Sequence, residues 1–212
     1  IVRRLLDEGA RVLFCGQDQA RGAEALAALN SANAHFMRAD VGEEADIEAL
    51  VASAVDRFGG LDILVNNAGV FRGGPVVNMA LEDWEDVIRT NLTGVFLTTQ
   101  AFLPGMLERG RGDIFLISSM SGKKGDPGAA AYAASKFGLQ GFAQSLLYEV
   151  RKSNIRVMVL NPSSVDTGED SGRNEGAGLH LHAADLAEMI VHLATLPGRT
   201  LFRDMDVWGT NP

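Results

Sequence analysis

Short apolar runs alternate with amphipathic or Ala-rich stretches along nearly the whole chain, and that alternation leaves few folds open. Arg11–Cys15, Ala34–Ala39, Leu61–Val65, Ile114–Ile117, Ile155–Leu160 and Met205–Trp208 read as strands. Gln19–Asn30, Glu43–Phe58, Leu81–Arg109, Ala129–Ser153 and Ala184–Leu196 read as helices, the third with a break or bend expected near Pro104. The central strands are apolar at almost every position, as strands covered on both faces must be. The expected fold is therefore α/β, a parallel sheet with helices on both sides. Such sheets bind ligands beyond the carboxyl ends of their strands. Asp40, Asn66, Asn67, Ser119, Asn161 and Ser163 each fall just after a strand.

The 212 residues carry no repeat or linker and read as a single domain over 1–212. Pro162–His182 is rich in Ser, Gly, Glu and Asp, and a loop of that length inside a compact domain is disordered or functional; a lid over 162–183 is expected. A net charge of −8 repels phosphate backbones and argues against a nucleic-acid partner. No run approaches the roughly 20 apolar residues of a membrane span. The single cysteine, Cys15, fits a reducing, cytoplasmic compartment, and its apolar surroundings predict a core position.

Tyr132 and Lys136 stand four residues apart in a helical stretch, thirteen residues after Ser119, so a phenol and an ammonium share one helix face. A tyrosine has an ordinary pKa of about 10 and is a poor proton carrier at neutral pH. A cation roughly 6 Å away, at an effective dielectric of about 20, favours the phenolate by nearly 3 kcal/mol, or about two units. That moves the phenol towards the range in which acid–base catalysis is effective. Taken alone, such a pair also fits an ordinary amphipathic face.

Five motifs occur in order: Asn66-Asn67-Ala68-Gly69, Asn91-Leu92-Thr93-Gly94, Ile117-Ser118-Ser119, Tyr132-Ala133-Ala134-Ser135-Lys136 and Asn161-Pro162-Ser163-Ser164-Val165-Asp166-Thr167. Together they resemble the short-chain dehydrogenase/reductase family, in the branch that includes 3-oxoacyl-carrier-protein reductases and related carbonyl reductases. The resemblance implies a Rossmann-type doubly wound sheet and hydride transfer between a nicotinamide cofactor and a small-molecule carbonyl or secondary alcohol. By position it makes Tyr132 the proton donor or acceptor and Lys136 the residue that lowers its pKa and bonds the nicotinamide ribose. Ser119 takes the place of the catalytic serine that holds the substrate oxygen, and Asn91 that of the helix asparagine supporting a proton path. Asp40 and Val41 border the adenine; Asn67, Ala68 and Gly69 line the cofactor; Pro162, Val165 and Thr167 close over the nicotinamide. Asn66 is expected to tie neighbouring strands together. Members of the family pair through the helices that here carry Phe96 and Phe137, so a homodimer or homotetramer is expected.

The chain departs from the pattern in three places. The opening strand and its Gly-rich phosphate turn are absent before Ile1, so about 20 preceding residues are expected by resemblance, the turn being the element that sets backbone N–H groups at a pyrophosphate. Gly16-Gln17-Asp18 stands where an acid would select NAD or an Arg NADP. Small Gly16 leaves room for a phosphate and Gln17 can bond it, which leans towards NADP over NAD, while Asp18 reads as a helix cap. Ser163 replaces the usual Gly after Pro162. Lys123 and Lys124 read as solvated loop residues, and His180 and His182 lack partners at metal-ligand spacing, so no metal is expected. The alternatives are a dinucleotide-binding regulator without catalysis and a structural oligomer.

Overall fold

The computed structural model describes residues 1–166 and 181–210. In chain order these form α1 (Val2–Asp7), β1 (Val12–Gly16), α2 (Gln19–Leu29), β2 (Ala34–Arg38), α3 (Glu44–Phe58), β3 (Ile63–Asn66), α4 (Leu81–Ile88), α5 (Gly94–Arg109), β4 (Gly112–Ile117), α6 (Ala130–Val150), β5 (Ile155–Pro162), β6 (Val165–Asp166), β7 (Leu181–His182), α7 (Ala183–Thr195) and β8 (Asp204–Val207). All strand pairs are parallel. β1 pairs with β2, and β3, β4, β5 and β8 form a four-stranded sheet in that order.

The pleat sorts the apolar strands onto two helical layers, because successive side chains point to opposite faces. Ile114 and Leu116 of β4, with Val157 and Val159 of β5, join Val95 and Met106 of α5 and Leu139, Leu146 and Leu147 of α6. The alternate residues Phe115, Met158 and Leu160 pack against Leu186, Ile190 and Leu193 of α7. β5 is buried at all eight positions, and Val157–Leu160 at its centre reads as an apolar run, while Arg156 and Asn161 are buried with polar partners. α3 lies with α5 over Leu13, Met37 and Ala39.

β1 and β3 share no ladder, and a cavity of about 510 Å³ lies between them. Its walls are the two strand edges, Leu50 and Ala54 of α3, Val95 and Phe102 of α5, and Ile1, Val2 and Leu5. Cys15 lines this cavity, and burial raises its thiol above its ordinary value.

The long helical stretch also differs from expectation. It does not break at Pro104, which sits inside a continuous α5. The proline removes the bond to the carbonyl of Gln100, an exposed residue, so water can replace it. The irregularity falls earlier, where Arg89–Thr93 forms a π-helical turn between α4 and α5. Single π turns inside helices recur at functional sites, and this one carries Asn91.

Candidate active site

The carboxyl edge of the four-stranded sheet gathers three segments. β4 ends in Ile117, and Ser118 and Ser119 follow in extended backbone, Ser119 capping the short 3-10 turn Met120–Gly122 by accepting a bond from Ser121 N at 3.1 Å. α6 begins beside that turn and carries Tyr132 and Lys136 on one face. The Ser119 hydroxyl lies near enough to the Tyr132 phenol to act on its titration. The Lys136 ammonium lies 5.5 Å from the centre of the Tyr132 ring and donates to the Ile117 carbonyl at 2.8 Å. Phe71, from the loop after β3, meets the Tyr132 ring edge-on with centroids 5.3 Å apart.

Burial governs the titration of both groups. It lowers the Lys136 ammonium from its ordinary 10.5 to about 8, since the side chain is enclosed with no carboxylate beside it among the described residues. It pushes the Tyr132 phenol above its ordinary value, and the Ser119 hydroxyl offsets part of that rise. In the chain by itself burial sets the direction of the Tyr132 shift, opposite to the lowering expected of Lys136 together with a nicotinamide.

Asn91 is fully buried on the π turn. Its amide oxygen accepts from Val70 N at 2.8 Å, and its amide nitrogen donates to Val70 O at 2.9 Å and to Ser135 Oγ at 3.2 Å. Ser135 in turn donates to the Tyr132 carbonyl at 2.7 Å. Asn91 therefore fastens the loop after β3 to the first turn of α6. Asn66 ties β3 to α5, with Thr98 donating to its oxygen at 2.8 Å, and not to a neighbouring strand as expected.

The remaining expected residues spread along the same edge. Asn67, Ala68 and Gly69 are exposed at the end of β3, and Val41, Asn67 and Ala68 line the mouth of the cavity. Asp40 follows β2. Burial alone would raise its carboxyl, but Gly42 N at 2.9 Å, Arg89 at 2.9 Å and the Gln17 side chain together hold it below its ordinary value. Asp18 caps α2 through Ala20 N and Arg21 N. Pro162 is buried at the end of β5, and Val165 lies in β6 against β7. Thr167, His180 and most of the lid expected over 162–183 lie outside the described residues, and His182 caps α7.

Three residues escaped the sequence reading. Arg89 holds Asp40 across 49 positions, a partner that no local pattern reveals. Ser135 stands between Tyr132 and Lys136 and could have been noticed as a hydroxyl one turn from the phenol. Gln140, four residues beyond Lys136, continues its helix face and donates to Ser118 Oγ at 3.1 Å and Asn161 Oδ1 at 2.5 Å.

A nicotinamide dinucleotide can be tested against this edge. Thr90 Oγ1 is buried with no partner among the described residues and lines the cavity beside Val41, Asn67 and Ala68. Gly69 leaves room that a Cβ would fill at 3.4 Å from Asn91. The orphaned hydroxyl and the open backbone at Gly69 are compatible with a ligand along this edge, and the described residues hold no Gly-rich turn of the expected type for its pyrophosphate.

The sequence model described as short chain dehydrogenase matches residues 1–178. The chain belongs to the short chain dehydrogenase family. A 3-alpha-(or 20-beta)-hydroxysteroid dehydrogenase of Mycobacterium tuberculosis is 40% identical over 166 residues, covering 78% of this chain and 64% of that protein. An actinorhodin polyketide ketoreductase variant solved with NADPH is 36% identical, with a TM-score of 0.88 over 99% of this chain and 90% of that one. The closed form of a serine dehydrogenase complexed with NADP+ is 30% identical, with a TM-score of 0.90 over 98% and 88%. The chain spans 66%, 63% and 64% of the length of the first curated relatives it matches.

Proposed function

We propose that this family member is an NAD(P)-dependent oxidoreductase interconverting a small-molecule carbonyl and a secondary alcohol. The observation that carries the reading is the Lys136 ammonium 5.5 Å from the Tyr132 ring, with the Ser119 hydroxyl near enough to act on the phenol, at the carboxyl edge of the sheet. The nicotinamide, when bound, supplies or accepts the hydride at the carbonyl carbon. In the reductive direction, Ser119 donates a hydrogen bond to the substrate oxygen as negative charge builds there. Tyr132 gives that oxygen its proton. Lys136 then faces the phenolate with a positive charge and limits the cost of forming it. Asn91 keeps the loop bearing Phe71 and the start of α6 in register through Val70 and Ser135.

Asp40 and Val41 would border the adenine, Asn67, Ala68 and Gly69 the middle of the cofactor, Lys136 the nicotinamide ribose, and Pro162, Val165 and Thr167 the nicotinamide. The NADP and NADPH in the two solved relatives, together with the absence of an acid at Gly16 or Gln17, favour NADP over NAD. Half-exposed Phe71 gives the substrate an apolar wall beside the reactive phenol. Exposed Phe96 and Leu107 on α5, with Phe137 and Tyr148 on α6, support assembly into a homo-oligomer. The lone cysteine supports a reducing, cytoplasmic setting; among the described residues no helix is long and apolar enough to cross a membrane.

The test is Tyr132→Phe. Turnover of a carbonyl panel with NADPH should vanish while the dissociation constant for NADPH stays within about twofold, measured by nucleotide fluorescence. Retained turnover overturns the reading.

A further inference from the structure

Lys123 follows the 3-10 turn that Ser119 begins. Its ammonium is not free in solvent: it is paired with Asp204 and lies 3.7 Å from Asp206, both on β8. Asp204 and Asp206 also accept from the Asn161 amide, at 2.5 and 2.9 Å. Asn161 is fully buried and accepts from Gln140 at 2.5 Å, and Gln140 donates to Ser118 Oγ at 3.1 Å. Ser118 adjoins Ser119, so these side chains and the turn close a circuit around it.

The circuit joins three elements that must hold a fixed relation for the proposed chemistry: the Ser119 turn, α6 with Tyr132 and Lys136, and the β5–β8 edge. The turn is also seated tightly. A Cβ on Gly122 would lie 2.9 Å from the Lys136 carbonyl and 3.0 Å from Ser118 Oγ, so only glycine lets it approach α6 this closely. One side of the turn rests on α6 through Gly122. The described side-chain tie on its other side is Lys123 to Asp204, across 81 positions of sequence. Two carboxylates converging on one asparagine amide repel each other, and the lysine compensates that charge at the point where the turn ends.

We propose that Lys123 is a positioning residue, acting through Asp204 to hold the Ser119 hydroxyl in place for the carbonyl–alcohol reaction; the catalytic part of this statement rests on the function proposed above. A misplacement of about 1 Å at a reacting group costs as much as 100-fold in rate. Loss of one tether to a turn still seated on Gly122 should cost less, about tenfold in kcat.

The experiment compares the wild-type chain with Lys123→Met, Lys123→Arg, Asp204→Asn, the Lys123→Met/Asp204→Asn double variant and the control Lys124→Met, whose lysine pairs with exposed Asp126. Backbone amide exchange is read at Ser121, Gly122, Lys123 and Lys124, whose N–H groups bond Ser119 and Met120. Lys123→Met should speed exchange there at least tenfold and leave α5 unchanged. In turnover it should lower kcat about tenfold at nearly constant KM and NADPH affinity. Lys123→Arg should recover most of both, Asp204→Asn should behave like Lys123→Met, the double variant should be no worse than either single one, and Lys124→Met should match wild type.

Unchanged exchange in Lys123→Met overturns the tether. Faster exchange with kcat unchanged overturns its role in positioning. Losses in kcat that track equal losses in melting temperature and nucleotide affinity reduce the pair to a fold fastener and overturn it too. An absence of turnover in the wild type refutes the function proposed above and the catalytic part with it, while the exchange result still decides whether Lys123 tethers the turn.

Discussion

Replacing Lys136 by Met should change how stability depends on pH, in a window that the geometry defines. The ammonium is buried against Ile117 O and the Tyr132 ring, and its pKa falls from 10.5 to about 8 on folding. At about 1.36 kcal/mol per unit, that displacement corresponds to about 3 kcal/mol. The sign follows from proton binding: between pH 8 and 10.5 the unfolded chain keeps the lysine proton that the folded chain has released, so folding stability rises with pH across that window. Below pH 8 both states are protonated and the penalty of the buried charge is present in full; above 10.5 it is gone. The measurement is the free energy of urea unfolding at several pH values from 7 to 11, in a Tyr132→Phe background so that the nearby phenol does not titrate. The Lys136-containing chain should gain about 3 kcal/mol relative to its Lys136→Met counterpart between pH 8 and 10.5. A difference independent of pH would refute the argument that desolvation controls this lysine, and a difference falling with pH would mean that a hidden anion stabilises the ammonium.

Ser119→Ala should lower kcat by about 10²–10³, the usual cost of removing one donor to a developing oxyanion, with NADPH affinity unchanged in a fluorescence titration. Arg156→Met should destabilise the chain by about 3–5 kcal/mol in denaturant unfolding, because Arg156 grips both oxygens of Asp113 at 2.6 Å and its loss leaves a nearly buried carboxylate uncompensated. Gly94→Ala should cost about 1–2 kcal/mol despite the better helix former, because the new Cβ would meet the Val41 backbone at 3.1–3.2 Å; the same variant should weaken NADPH binding if Val41 borders the adenine.

The fold was largely legible because its signal is local. β5 is buried at every position and its centre, Val157–Leu160, reads as apolar sequence, and Asp18 and Gly59 mark helix ends where a cap and a left-handed residue are needed. The spacing of Tyr132 and Lys136 placed both on one face of α6. What escaped depends on contacts between distant segments. The π turn at Arg89–Thr93 accompanies an asparagine bonded to Val70 and Ser135, which helical periodicity does not encode. Pro104 reads as a helix breaker but leaves only an exposed carbonyl unpaired. Lys123 has the sequence surroundings of a solvated loop residue, and its carboxylate partners lie on the last strand. The direction of the Tyr132 shift was also hidden, because spacing gives the position of a cation but not the depth of the phenol.

The central claim is that this edge of the sheet brings a hydride and the Tyr132 proton to the two ends of one C=O bond. The direct measurement is the reduction of a ketone by NADPH deuterated at C4 on the transferred face, with mass analysis of the alcohol. The wild-type product should carry one deuterium on the carbinol carbon, and Tyr132→Phe should give no labelled alcohol. Alcohol formed without label on that carbon, or labelled alcohol made at the wild-type rate by Tyr132→Phe, would contradict it.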